Sequence, residues 1–582
     1  MPQMPAGPKN SRTLDRPWYV RTKGFEAPKD GEHPRLLFRR GDLPALRKKA
    51  RTPEGKAILK RLRLLLDGKD GETMTTVFRP ARGAPAGKNK VIDAPGIYTM
   101  GHAAGYGLLY QLTGDKKYAE FGRQCFEKAL EGTPDRDIRY GFRAPGGPLR
   151  AGPSVGWYAV GYDLCYDGWD EAVRRKFGRA IEKYDEDSTN SRERIRSDLE
   201  LLARGGRYLD RGFRRNIGTP PGSNHFGMQV GGVSLALLAI SGEKWADQGR
   251  IDKLLATAEH SMIRNLTEGF GDGGFFAEGD GTGSMSSQIA YLSAILAWKN
   301  AAGKDFINAP RPNVRMLTLK WIYQTVFRDG KPDFWPVRGS YGGNTWARRG
   351  LSGAGYFAIG MGGVSRKHQA AMKWCYARFL AESDAAADQP FDTASVYPHL
   401  AVCAFVNWPT TIEAKNPAEV LPLCYRDSKW GFYVWRNRWK DENDTVISVL
   451  LKATRGFGGY LYSDPDRSLH LNTMGKHIRW GRSARGKAKY WWASPEGKSS
   501  SLTMSDGTCL AVDFTGASGA DVMLVTTAKA AGQTVDVGGK KLTFYFPTTK
   551  EPPEVKVEGA AAVAGARRVT IADGNLVLTA GL

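Results

Sequence analysis

The feature that most constrains this chain is a run of helix-patterned segments from about 96 to 400, separated only by short breakers. Gly101–Leu112 is rich in Leu and small residues, and Thr113-Gly114-Asp115 reads as a turn. Tyr118, Phe121, Cys125, Phe126 and Ala129 then recur at helical spacing. The pairing repeats as Val155–Tyr166 with Glu171–Tyr184, Gly227–Ser241 with Ile251–Leu266, and Ser284–Ala302 with Val314–Val326, followed by Val364–Ser383. Helix pairs joined by short links stack into solenoids or close into toroids. No fixed repeat period is visible, so pattern alone leaves closure open. Upstream, residues 1–35 read as an extended lead-in, and Asp42 with Pro44 marks a helix start with Asp42 as its N-cap.

A chain of 582 residues exceeds what one core usually serves, so at least two domains are expected. The pattern changes after about 405. Asn407-Trp408-Pro409 and Pro417 break helices, and strand-like runs follow at Phe432–Trp435, Val446–Leu451, Val522–Thr527 and Leu542–Phe546. Val569–Ile571 and Leu576–Leu578 flank Asp573-Gly574, a hairpin-turn dipeptide. The expected organisation is a lead-in at 1–35, an (α/α) toroid at 36–404 and an antiparallel β domain at 405–582, most simply a sandwich.

A formal charge of +24, from 84 Lys and Arg against 60 Asp and Glu, favours an anionic partner or serves solubility alone. No nucleic-acid-binding motif or long basic run accompanies that charge, and no apolar run approaches the ~20 residues that span a bilayer. Neither nucleic acid nor membrane is therefore an expected partner, and an acidic polysaccharide is. The 16 Trp and 23 Tyr suit a sugar-binding cleft but fill ordinary cores just as well. Six scattered cysteines, Cys125, Cys165, Cys375, Cys403, Cys424 and Cys509, have no metal-binding spacing and read as buried thiols. Met1 to Asn10 lacks the apolar stretch of a signal peptide.

Several segments, taken in order, resemble the heparinase II/III-like polysaccharide lyases and related uronyl epimerases. They are His33-Pro34-Arg35-Leu36-Leu37-Phe38 and GLLYQLTGDKKY at Gly107–Tyr118. Next come Ala159 to Asp167, reading AVGYDLCYD, and Ser223-Asn224-His225. Last is Asp272-Gly273-Gly274 with Glu278-Gly279. The resemblance spans about 33–400, with a weaker echo in the β part. It implies an incomplete (α/α) toroid, a β-sandwich and a cleft between them, and the expected location is periplasmic or secreted, with no signal peptide in this sequence. It also implies Asn224 as the ligand of a substrate carboxylate.

A uronate lyase must neutralise the C5 carboxylate, remove the C5 proton and protonate the departing O4. Asn224 and His225 follow Gly222-Ser223 and precede an apolar helix, so they sit where an anion is favoured. The bland alternative is an N-cap Asn and a packed His. Eight arginines within 192–215, Arg214 and Arg215 among them, suit a polyanion or a solvated face. Trp157, Tyr158, His102, Arg338 and Tyr460 complete the candidate substrate-binding set with Asp280. Two positions depart from the family. Gly281 to Met285 contain no Tyr where a catalytic Tyr is expected, and Tyr341 is the substitute by context. Tyr460 and Tyr462 stand where the β domain would carry His, so no metal site and no cofactor are expected. His470 and His477 lie nearby without tetrahedral spacing.

Three other readings remain. Glu278 and Asp280, two carboxylates in the Gly-rich loop 271–284, suit a glycoside hydrolase. A uronyl epimerase shares the first half of the lyase chemistry. A non-catalytic glycan-binding protein needs neither Tyr nor His.

Overall fold

In the computed structural model the described residues are 17–78, 95–184, 189–190, 195–196, 198–208, 217–279, 289–328, 331–334, 359–386 and 397–422. Beyond these come 424–427, 429–430, 432–436, 439–441, 444 and the strands from Val446 onward. The helices run α1 Leu43–Lys49, α2 Pro53–Asp67, α3 His102–Thr113, α4 Lys116–Leu130, α5 Pro148–Cys165, α6 Glu171–Glu182 and α7 Leu199–Ala203. They continue as α8 Asn224–Ile240, α9 Gln248–Arg264, α10 Tyr291–Ala302, α11 Asn313–Tyr323, α12 Arg366–Phe379, α13 Ala381–Ala386 and α14 Pro398–Asn407.

Short side chains start several of these helices. The carboxylates of Asp115, Asp170, Asp198 and Asp247 each accept a backbone N–H from the first turn of α4, α6, α7 and α9. In the TGD step, Thr113 ends α3, Gly114 takes φ +76° and Asp115 caps α4. A side chain at Gly114 would be strained there. Asp42 holds the N-cap position of α1 as expected, but its carboxylate gives that helix no capping bond and instead accepts the Arg39 N–H, 2.8 Å away.

The helices form two layers. The inner one is a closed circuit of contacts: α3 packs on α5, α5 on α8, α8 on α10, α10 on the 3₁₀ turn Met361–Gly363, that turn on α14, and α14 back on α3. Inner helices are apolar nearly all round, and α8 carries no Asp, Glu, Lys or Arg. The outer helices α4, α6 and α9 are amphipathic and lie on α3, α5 and α8. Inner neighbours approach to backbone contact through glycine. A Cβ built on Gly232 of α8 would fall 1.8 Å from the Gly152 carbonyl oxygen of α5, and one on Gly156 would fall 2.8 Å from Gly232 Cα. Gly152 likewise meets Met228 and Gln229, so α5 and α8 run parallel with their N-terminal ends side by side.

The family-like motifs at the start of the chain prove to be anchors. Asp163 of α5 is fully buried and accepts the backbone N–H groups of Arg35 and Leu36, while His33 Nδ1 lies 2.6 Å from its Oδ1. His33 Nε2 and Arg35 Nη2 each lie 3.0 Å from Glu243 Oε1, and Tyr166 donates to Glu243 Oε2. The His33 ring stacks on Tyr166 at 3.9 Å. This buried network fastens the lead-in to α5 and to the end of α8.

The strands after α14 are antiparallel wherever they pair. Five run in the order Lys476–Trp480, Leu469–Thr473, Val446–Leu450, Phe432–Arg436, Cys424–Asp427. A four-stranded and a three-stranded sheet follow, touching through Thr508–Asp513 and Asn575–Gly581. The hairpin expected around Asp573-Gly574 joins Ala566–Ala572 to Asn575–Gly581. The first sheet is fastened to the helices by buried polar contacts. Arg436 donates to the carbonyls of Tyr323 and Thr325, Trp439 Nε1 to that of Ile322, and Tyr425 to that of Gly273. Among the described residues, no helix is long and apolar enough to cross a membrane. Cys125, Cys165, Cys375 and Cys403 are buried free thiols.

Candidate functional site

The N-terminus of α8 is the centre of the candidate site. Ser223 caps it, its hydroxyl 3.3 Å from the His225 N–H, so the cap is Ser223 and Asn224 is the first helical residue. The Asn224 N–H donates to Glu278 Oε2 at 3.0 Å. A carboxylate there satisfies an N–H with no helical partner and complements the helix dipole. Asn224 and Glu278 are both buried, at 6% and 2% exposure. The turn before the cap rests on a π-helical turn, Asn265–Gly269, whose Asn265 side chain donates to the Pro221 carbonyl at 2.7 Å.

Glu278 is positioned by the Gly-rich loop, and the first β-sheet positions that loop. Asp427 is fully buried and accepts the N–H groups of Gly273, Phe275 and Trp430 at 3.0–3.1 Å. A Cβ on Gly271 would fall 2.0 Å from Asp427 Oδ1. Gly274 has φ +76°, and its Cβ would fall 2.5 Å from the Met316 carbonyl. These glycines therefore serve packing against the protein itself. Burial, reinforced by the charge of Asp272, pushes the Asp427 carboxyl up to about 7.

Beside α8 stands the start of α5. Burial, then the positive Arg150, push His225 down to about 4, so its imidazole is neutral near neutral pH. Arg150, in the first turn of α5, is itself buried and donates through Nη1 to the Tyr140 hydroxyl. Its guanidinium lies 4.8 Å from the centre of the Tyr140 ring. Tyr140 ends the 3₁₀ turn Ile138–Tyr140, which Asp137 caps, and its carbonyl accepts the Ser154 hydroxyl at 2.9 Å. The Tyr397 ring, just before α14, is 6.4 Å from that of Tyr140. Arg136 is buried nearby, and its charge and that of Arg139 act on Tyr397. A neutral imidazole, a buried guanidinium and a phenol thus stand beside a helix N-terminus whose first N–H is already held by the Glu278 carboxylate.

The expected residues separate into three groups. Asn224, His225 and Glu278 come together at the start of α8. Trp157, Tyr158 and His102 are in the core, with at most 1% exposure. Trp157 Nε1 donates to the Ile289 carbonyl, and its ring lies 4.3 Å from that of His399. The Tyr158 hydroxyl is 2.6 Å from that of Tyr98. His102 Nε2 lies 3.1 Å from the Leu66 carbonyl, and burial pushes this histidine to about 4. These three face no solvent, because the inner helices close around them. Tyr341, Arg338, Arg214, Arg215, Asp280 and Tyr460 lie outside the described residues. Of the arginine cluster, Arg204 points to solvent and pairs with Glu200 one turn away.

Arg150, Tyr140 and Tyr397 were not expected from sequence. The available signal was that α5 contains just two charged residues, Arg150 and Asp163, in an otherwise apolar inner helix. Asp163 anchors the lead-in, which leaves Arg150 to be explained. In the β part, the backbone register pairs His470 with Arg479 and His477 with Asn472. Among the described residues, no group of three or more His, Cys, Asp or Glu side chains is placed to hold a metal ion.

No protein-family model matches the chain, and no curated protein matches it significantly. Among solved structures, it is similar to a mutant heparan sulfate lyase from Pedobacter heparinus, at 14% identity over 86% of this chain and 78% of that one, with a TM-score of 0.35. It is also similar to heparinase III, at 12% identity over 91% of this chain and 82% of that one, with a TM-score of 0.39.

Proposed function

We propose that the chain is a polysaccharide lyase, periplasmic or secreted, that cleaves a uronic-acid-containing acidic polymer by β-elimination. The observation that carries this reading is the gathering of Asn224, His225 and buried Arg150 at one helix N-terminus. That end of α8 carries a partial positive charge, which the Glu278 carboxylate offsets in part. Asn224 and Arg150 would neutralise the C5 carboxylate and so acidify the C5 proton. A histidine kept neutral by burial is in the form that accepts such a proton. The ordered motif resemblance and the +24 charge point the same way.

Glu278 weighs against the hydrolase reading, because one of its oxygens already holds the Asn224 N–H. The test is incubation with alginate, glucuronan, ulvan, heparin and chondroitin, following the ultraviolet absorbance of a 4,5-unsaturated uronate and the release of reducing ends. Both signals on at least one polymer support the lyase. Reducing ends without absorbance, abolished in Glu278→Gln, would replace it by the hydrolase. Solvent deuterium entering C5 without chain cleavage would make the protein an epimerase. Retention of an acidic glycan with no product would leave a binding protein.

A further inference from the structure

The geometry points to Tyr140, held by Arg150, as the catalytic acid that protonates the departing O4, taking the place of the tyrosine that is missing after Glu278. This inference rests on the lyase reading above and adds a residue to it. Elimination needs a proton acceptor and a proton donor near one carboxylate site, and Arg150 connects a candidate for each. Its Nη1 hydrogen-bonds the Tyr140 hydroxyl, and its charge acts on His225. The start of α5 packs on the start of α8, with Gly152 against Met228 and Gln229, so Arg150 and the phenol it holds stand beside the helix end that carries His225. Tyr140 is also held in place. Asp137 caps its turn, Ser154 holds its carbonyl, and the guanidinium covers its ring. Such fixed placement is what a proton donor requires, because misplacement by about 1 Å can reduce rate about 10²-fold.

The protonation states fit these roles. Burial holds the Tyr140 phenol above its ordinary value, so it keeps its proton at neutral pH. The Arg150 N–H on the phenolic oxygen stabilises the phenolate left after donation, as does the charge of nearby Arg139, while Asp137 opposes it. The step balances without a co-reactant. His225 takes the C5 hydrogen as a proton, and that electron pair forms the C4=C5 bond. The C4–O4 bond breaks with its pair going to O4, and the Tyr140 proton passes to O4. Imidazolium and phenolate remain, and one proton returned through solvent resets the site.

The experiment compares wild type, Tyr140→Phe and His225→Ala on two substrates. One is the polymer that wild type cleaves best. The other is a uronide bearing a 2,4-dinitrophenyl group on O4, which departs without a proton. Tyr140→Phe is expected to lose polymer kcat by about 10²–10⁴-fold with KM nearly unchanged. It should stay within about tenfold of wild type on the aryl substrate, whereas His225→Ala loses both. A polymer kcat in Tyr140→Phe within about tenfold of wild type, or an equal loss on both substrates, overturns the assignment while the lyase reading stands. Unsaturated product from no polymer at all removes the lyase reading and this inference with it. If Tyr140→Phe does not fold, 3,5-difluorotyrosine at position 140 replaces it. The alkaline limb of the kcat profile should then move to lower pH, and an unmoved limb overturns the assignment.

Discussion

An Asp427→Asn substitution keeps the shape of the side chain but removes its charge and one acceptor. Oδ2 of Asp427 accepts the N–H groups of Gly273 and Phe275, and Oδ1 accepts that of Trp430. An amide that keeps its oxygen on the first two turns its NH₂ toward Trp430 and orphans one buried donor, which costs about 1–3 kcal/mol. Asp427→Ala orphans all three and should cost about 3 kcal/mol or more. The pH dependence is the sharper test. Burial raises the folded carboxyl from 3.8 to about 7, so the folded state binds the proton more tightly than the unfolded one. The wild-type advantage over non-titrating Asn is therefore fullest below about pH 4 and is lost as pH rises toward 7. Between about pH 5 and pH 8 the gap should shrink by about 1–3 kcal/mol. Urea unfolding of both proteins at the two pH values, followed by tryptophan fluorescence, reads it. A gap that widens with pH would refute the reasoning, since the three N–H donors would then outweigh burial. Because Asp427 holds the loop that presents Glu278 to Asn224, activity should fall along with stability.

Other perturbations test the frame and the site. Gly232→Ala should destabilise by about 1–3 kcal/mol or prevent folding, because its Cβ meets the Gly152 carbonyl at 1.8 Å; thermal melting checks this. Asp163→Ala leaves the N–H groups of Arg35 and Leu36 and the His33 ring unmatched in the core. It should cost about 3–5 kcal/mol in urea titrations while kcat at permissive temperature is unchanged. With His225 as base, kcat/KM of the free enzyme should hold down to mildly acidic pH and fall as pH drops through about 4. An acid limb near the ordinary histidine value would show that His225 is not buried in this way.

Local signals explain what could be read in the sequence. Asp115, Asp170 and Ser223 announce helix starts because each satisfies an orphan N–H within three residues. The α8 start was legible only in part: the pattern suggested a helix over Gly227–Ser241 with Asn224 as a possible N-cap, whereas Ser223 caps it and Asn224 is its first residue. The contacts that build the rest of the site are not local. Asp427 grips a loop about 150 residues away, and nothing around Cys424–Asp427 hints at it. Arg150 meets Tyr140 across a Gly-Pro-rich turn whose path no periodicity fixes. Trp157, Tyr158 and His102 mark the opposite failure. Aromatic and histidine side chains look alike in sequence whether they line a cleft or plug a ring of inner helices, and here they plug it.

The most direct test of the central claim is one assay on the best polymer, reading unsaturated-uronate absorbance and reducing ends together for wild type, Asn224→Ala and His225→Ala. The account predicts equal growth of both signals in wild type, and their joint loss in both variants with folding retained. Reducing ends that accumulate without absorbance, or full activity in folded Asn224→Ala and His225→Ala, would contradict it.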